Sequence, residues 1–181
     1  IYDAEALRYQ YLSYEKKLPI KKNNSTCEVI ILTTNNNLKT KKLLNYASYF
    51  LGINDKYNFS FKPHPDQIID YEVSPKVKII ENHTKLSDII NQFNIALTCE
   101  TTSAAVDAYL FGIPIVTLCN QNIPNLSPLF GCQNVQFCFN YNTFEIALLK
   151  IKNSKFKSDF KINNYFNFSS NLVKWSHLLE K

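Results

Sequence analysis

Ile95-Ala96-Leu97-Thr98-Cys99-Glu100-Thr101-Thr102-Ser103-Ala104-Ala105-Val106-Asp107-Ala108-Tyr109-Leu110-Phe111-Gly112-Ile113-Pro114-Ile115-Val116-Thr117 decides how this chain folds. It reads as a buried strand, a hydroxyl-rich turn, a short helix, a glycine stop and a second buried strand. Thr101, Thr102 and Ser103 stand where the helix begins, so one of their hydroxyls is expected to cap it. A helix start of this kind, with amides and dipole facing outward, suits a phosphate or a carboxylate. Gly112 falls where a left-handed residue closes a helix, and Pro114 is tolerable at the first residues of a strand. Such a βαβ unit places its ligand crevice at the carboxyl end of the first strand. Many α/β proteins cap a helix with threonine or serine and bind nothing there, so this stretch alone leaves both readings open.

Outward from that centre the same alternation repeats. Glu28 to Thr33 is a continuous apolar strand, the pattern of a strand covered on both faces. Asn35 to Asn37 forms a turn and offers caps. A helix over Leu38 to Leu51 turns Leu43, Leu44, Ala47, Phe50 and Leu51 inward, with Gly52 as its expected stop. Further strands are expected at Asn58 to Lys62, Val77 to Ile80 and Val135 to Phe139. Thr84 is the expected cap of a helix carrying Leu86, Ile89, Ile90 and Phe93, and Thr143 to Lys152 forms another. Helices are also expected at Ala4 to Leu18 and Leu172 to Leu179, with polar connections at Lys21 to Thr26 and Asn153 to Lys161. Strands alternating with helices imply an α/β fold, a Rossmann-like doubly wound parallel sheet with flanking N- and C-terminal helices. The expected organisation is a crossover helix over 1–20, a Rossmann-like domain over 21–152, and a C-terminal loop and crossover helix over 153–181.

Composition supports a folded lobe and excludes several functions. The chain has 181 residues, 45% of them hydrophobic and 19% charged, which is globular rather than disordered. It begins at Ile1 and contains no Met, as expected of a piece of a longer protein. No apolar run approaches the ~20 residues that span a bilayer, and no signal peptide is visible. The net charge of +5 rests on lysines and a single arginine, Arg8. A reader of nucleic acid leans on arginine for bidentate contacts, so no nucleic-acid partner is expected. Weak attraction to an anionic membrane surface is compatible with the lysines. Cys27, Cys99, Cys119, Cys132 and Cys138 form no C-x-x-C pair, and three of them sit on or beside apolar strands. Free thiols packed as small hydrophobes point to a reducing, cytoplasmic setting.

Glycine is scarce, and neither G-x-G-x-x-G nor the Walker A pattern occurs. A nucleotide site would therefore rely on the Thr-Thr-Ser helix start. The second notable feature is Phe61-Lys62-Pro63-His64-Pro65, a strand ending in a histidine held between two prolines. In a parallel sheet His64 falls on the same rim as Thr101 to Ser103. There it can donate to a phosphate or act in proton transfer, because histidine titrates near neutrality. Glu100, at the same rim, can accept from a sugar or ribose hydroxyl or simply favour the helix dipole. His83 is a further candidate at that rim, whereas Asp107 and His177 read as structural. Lys62 is near enough to meet an anion. There is no Asp-x-Asp pair, no metal-ligand spacing and no G-x-S-x-G elbow, so neither a metal nor a serine hydrolase is expected.

Lys62-Pro63-His64-Pro65, the Glu100 to Ser103 turn and Ala104 to Pro114 together resemble the donor-binding half of GT-B glycosyltransferases. The likeness is to bacterial surface-carbohydrate (capsule and O-antigen type) biosynthesis proteins, with motifs like those of bacterial sialyltransferases and CDP-glycerol polymerases. Glu5 to Tyr9 and Leu172 to Trp175 are similar to the flanks of that group. The resemblance implies the carboxyl-terminal, nucleotide-sugar-binding lobe of a metal-independent transferase that needs no cofactor. It implies that His64 contacts the donor phosphate as the catalytic residue, and that Thr101, Thr102 and Ser103 bind phosphate at the helix start. Glu100 and His83 would contact sugar or ribose. It leaves CMP-, CDP-, UDP- and GDP-linked donors open with a tilt toward the cytidine-linked ones, and it implies a glycan or lipid-linked acceptor held by a missing N-terminal lobe, in the cytoplasm with room for peripheral contact at the inner membrane. Two alternatives stand beside it: a GT-B-like nucleotide-sugar epimerase, and a non-catalytic lobe that keeps the fold.

Overall fold

A computed structural model describes Leu7, residues 26–153 and residues 171–180. The chain divides into two compact units, residues 19–156 and residues 1–18 with 157–181. Apart from the exposed Leu7, the expected helix over 4–18 lies outside the described residues, as do residues 21–25 and 154–161. Of the second unit, the described element is a short helix, Val173–Leu179, containing Trp175 and the exposed His177. Among the described residues, no helix is long and apolar enough to cross a membrane.

The larger unit is built on six strands: β1 (Cys27–Leu32), β2 (Tyr57–Lys62), β3 (Val77–Ile79), β4 (Ile95–Cys99), β5 (Ile115–Leu118) and β6 (Val135–Cys138). They form one sheet in the order β3-β2-β1-β4-β5-β6, with every neighbouring pair parallel. This is the doubly wound order, in which the chain steps outward from β1 to one side and then returns to build the other. The expected Rossmann-like parallel sheet is therefore observed.

Both faces of the sheet are buried, which explains the unbroken apolar runs. Val29, Ile31, Phe59, Phe61, Leu97 and Val116 line one face. They pack beneath Leu43, Leu44, Ala47 and Phe50 of α1 (Asn37–Ile53) and Phe144 and Leu148 of α4 (Tyr141–Asn153). Residues of the opposite parity, Ile30, Ala96 and Ile115, are equally buried. Their face is covered by α3 (Ala104–Leu110), which buries Val106 and Leu110, and by Ile90 and Phe93 behind α2 (Leu86–Ile89). On that face Thr98 and Thr117, partners in register, satisfy each other's hydroxyls at 3.2 Å.

The deciding stretch folds as a strand–helix–strand unit with one correction. Gly112 takes φ +85, and its amide bonds Tyr109 O while that of Ile113 bonds Ala108 O. Those two bonds are the Schellman closure that only a residue free of a Cβ penalty adopts cheaply. Pro114 precedes β5, and its carbonyl still accepts from Ala96 N at 2.9 Å. The expected capping bond is not made: Ser103 occupies the N-cap position of α3 without a capping side-chain hydrogen bond.

Other boundaries also moved. Gly52 lies inside α1, which ends at Ile53 with Asn54 as C-cap, because nothing there forces a left-handed turn. Lys85, not Thr84, precedes α2, and that helix is one turn long before it tightens into a 3₁₀ turn over Ile90–Gln92. Helix α4 starts at Tyr141 behind a reciprocal cap: Thr143 N donates to Asn140 Oδ1 at 2.9 Å and Asn140 N to Thr143 Oγ1 at 3.1 Å.

Candidate functional site

At the carboxyl edge of the sheet the chain leaves β1 toward β2 on one side and leaves β4 toward β5 on the other. Their exits diverge, which opens a crevice at the switch point of a doubly wound sheet. Three segments border it. The β1 exit, Thr33-Thr34-Asn35-Asn36, leads into α1; the β2 exit is Pro63-His64-Pro65-Asp66-Gln67; the β4 exit is Glu100-Thr101-Thr102-Ser103.

The β1 and β4 exits are joined by a lysine. Asn36 caps α1 by accepting from Lys39 N at 3.1 Å, which sets the first turn of that helix at the crevice. From there the Lys39 ammonium reaches Glu100 Oε1 at 3.1 Å and Thr101 Oγ1 at 3.0 Å. Glu100 is buried while the Lys39 side chain is 31% exposed, so the cation remains open to the crevice. An ammonium has three N–H donors, and these two contacts occupy two of them.

Thr102 does not face this space. It is buried, and its Oγ1 turns back to accept from Cys99 N at 3.3 Å and lies 3.0 Å from Cys99 Sγ. The hydroxyl expected at the helix start therefore closes the end of β4 instead. Thr101 and Ser103, on either side of it, are exposed.

At the β2 exit, His64 Nδ1 accepts from Asp66 N at 3.3 Å and lies 3.7 Å from Asp66 Oδ2. A neutral imidazole that accepts at Nδ1 carries its proton on Nε2. His64 thus presents an N–H donor on its outer nitrogen, and its side chain is 36% exposed. The exits of β2 and β4 are separated by β1, a span of ~10 Å at the usual spacing of strands. Lys39, at the start of the helix that follows β1, reaches from there to the β4 exit.

Beneath His64 lies a buried polar network centred on Gln67. Its Oε1 accepts from Thr33 Oγ1 at 3.1 Å, and its Nε2 donates to Asn37 Oδ1 at 3.0 Å and Thr40 Oγ1 at 2.9 Å. Neither Lys39 nor Gln67 stood out in the sequence. The available signal was the polar run Thr33 to Asn37 directly after an apolar strand, at the point where a doubly wound sheet opens.

Two sequence candidates lie elsewhere. His83 is exposed in the turn after β3, three strand steps from β4, or ~14 Å by strand spacing. Its turn stays at the carboxyl edge beside β2, where the Asn82 carbonyl meets the Lys62 ammonium. Lys62 is buried, not exposed, and its ammonium donates to Asn82 O at 3.2 Å. Burial pushes its pKa down. Asp107 sits one turn into α3, where its carbonyl accepts from Phe111 N. The five cysteines are free, with Cys27, Cys99, Cys119 and Cys138 buried.

With this geometry in hand, known proteins offer a comparison. No family model and no curated protein sequence matches the chain. Solved structures do. A spinosyn forosaminyltransferase is similar over 91% of this chain and 47% of its own, at 13% identity and a TM-score of 0.63. A spinosyn rhamnosyltransferase follows at 89% and 46%, with 12% identity and a TM-score of 0.61. A Listeria monocytogenes protein assigned as a UDP-N-acetylglucosamine 2-epimerase covers 87% and 46%, with 11% identity and a TM-score of 0.52. The fold is the Rossmann-like fold these proteins share. The chain spans a little under half the length of each of these structures.

Proposed function

We propose that this chain is the donor-nucleotide-binding lobe of a metal-independent glycosyltransferase acting in bacterial surface polysaccharide biosynthesis. One juxtaposition supports the reading: the β2 exit bearing the His64 imidazole and the β4 exit bearing Thr101 and Ser103 leave the same carboxyl edge of the sheet, with the Lys39 ammonium anchored on Glu100 and Thr101. Donors of that kind suit the phosphate of a nucleotide-sugar. His64 Nε2–H and the third N–H of Lys39 donate to phosphate oxygens, and the hydroxyls of Thr101 and Ser103 complete the cradle. Thr102 contributes its place in the turn rather than its hydroxyl.

In the transfer, the bond between the anomeric carbon and the phosphate oxygen breaks, and a bond from that carbon to an acceptor oxygen forms. Negative charge gathers on the leaving phosphate, where prepositioned donors are worth most. The acceptor's proton passes to a base outside this crevice, on a second lobe that also holds a glycan or lipid-linked acceptor. Such an enzyme would work at the cytoplasmic face of the membrane. Similarity to glycosyltransferase structures supports this reading at the level of fold. The epimerase reading needs several acid–base groups around the sugar; at this crevice the candidates are His64 and Glu100, and Glu100 is held by Lys39.

Calorimetric titration of the chain with CMP, CDP, UDP and GDP tests the proposal. Saturable binding of one nucleotide is expected, weakened at least tenfold (~1.4 kcal/mol) by His64→Ala. Equal binding by His64→Ala, or no binding of any of the four, would contradict it.

A further inference from the structure

We propose that Gln67 is a positioning residue that holds the His64 imidazole and the Lys39 turn in one fixed arrangement, an inference that rests on the donor-lobe reading above. Gln67 is 4% exposed, and its side chain uses both N–H donors and its oxygen. The direction of these bonds is set from outside the network. Asn37 Nδ2 faces Asp70 Oδ1 at 3.2 Å, and a carboxylate only accepts. Asn37 must therefore turn its own oxygen to Gln67, which places Nε2 there and leaves Oε1 for the Thr33 hydroxyl. The carboxamide has one orientation that satisfies every partner.

Those partners are distributed to a purpose. Thr33 belongs to the β1 exit, and Asn37 and Thr40 belong to the first turns of α1. That first turn carries Asn36 and Lys39, the cap and the cation of the crevice. Through its backbone, Gln67 N donates to His64 O at 2.9 Å, while the adjacent Asp66 N holds the ring at Nδ1. One buried side chain thus ties the histidine turn to the helix start that bears the lysine. The three side-chain bonds of Gln67 reach the β1 exit and the first turns of α1.

The test uses Gln67→Met, which keeps length and removes all three side-chain bonds. Two readouts are taken, the first without any ligand. Nitrogen-15 shifts of the His64 ring are expected to show a fixed Nε2–H tautomer in the parent chain and a mixture of tautomers in Gln67→Met. The second is the affinity of the tightest binder among CMP, CDP, UDP and GDP. Gln67→Met is expected to weaken it about threefold to tenfold in the parent, and by clearly less in a His64→Ala background, where only the Lys39 turn remains to be held. A merely structural role would leave the tautomer unchanged or weaken binding equally in both backgrounds, and either result overturns the proposal. If Gln67→Met fails to fold, Thr33→Val and Thr40→Val each remove one of the bonds to Gln67, together with a longer bond to Lys62 O or Thr34 O, and are read the same way. Failure of the donor-lobe reading is distinct: His64→Ala itself would then leave nucleotide affinity unchanged, while the ring still loses its fixed tautomer in Gln67→Met.

Discussion

Two regions meet at the carboxyl edge of this sheet and are held by different forces. The β4–α3–β5 unit is apolar and locally closed: its strands are buried on both faces, its helix ends on Gly112, and Thr102 folds back onto its own strand. The region between the β1 and β2 exits is polar and closed at a distance, by side chains such as Gln67 that bridge segments up to 34 residues apart. The first region secures the fold. The second gives the crevice its fixed donors. Substitutions in the two should therefore separate, with stability lost in one and ligand affinity in the other.

The largest effect is expected in the apolar unit. Leu97→Ala, at a fully buried position of β4, should cost about 2–5 kcal/mol in urea unfolding, as truncations of packed leucines do. A loss below about 1 kcal/mol would mean that β4 is not the centre of the core. Thr102→Val sharpens the contrast, because it removes the acceptor for Cys99 N inside a packed turn. It should cost about 1–3 kcal/mol of stability and leave nucleotide affinity within twofold. A tenfold loss of affinity would instead place the Thr102 hydroxyl on the ligand.

Lys39→Met probes the other region. It should weaken nucleotide binding about tenfold, or ~1.4 kcal/mol, by removing the cation at the crevice. Binding unchanged in calorimetry would assign Lys39 to Glu100 alone. The effect that vanishes at neutral pH concerns the thiols of the apolar layer. Burial pushes Cys138 up to about 12 and Cys27 up to about 11 from 9.0. Such thiols keep their protons in the folded state after the unfolded chain has lost them. Stability should then be whole below the unfolded value of 9.0 and fall as pH rises toward about 11 to 12, which urea melts across that range would show. Melts that strengthen with pH would contradict the burial of these groups.

The same division explains what could be read from the residues alone. Val29 to Leu32, Ile95 to Leu97 and Ile115 to Leu118 signal themselves as doubly buried strands, and Gly112 signals its own left-handed turn. These are local properties. His64 was legible because two prolines and a strand end fix its rim whatever the rest of the chain does. Lys39 and Gln67 were not, because their meaning depends on partners 61 and 34 residues away that only the sheet brings near. Thr102 shows the opposite error. A hydroxyl at a helix start competes between the helix and its own strand, and here the strand amide takes it. His83 shares a rim with Glu100 in sequence logic, yet strand order sets it on the edge strand.

The central claim is that a nucleotide sits at the β1/β4 switch point, against the donors of all three exits. Amide shift mapping of the chain on adding the tightest binder among CMP, CDP, UDP and GDP tests it most directly. The largest changes are expected in residues 33–39, 62–67 and 100–104 together. Changes confined to the amino ends of the strands, or absent from the His64 turn, would contradict the claim.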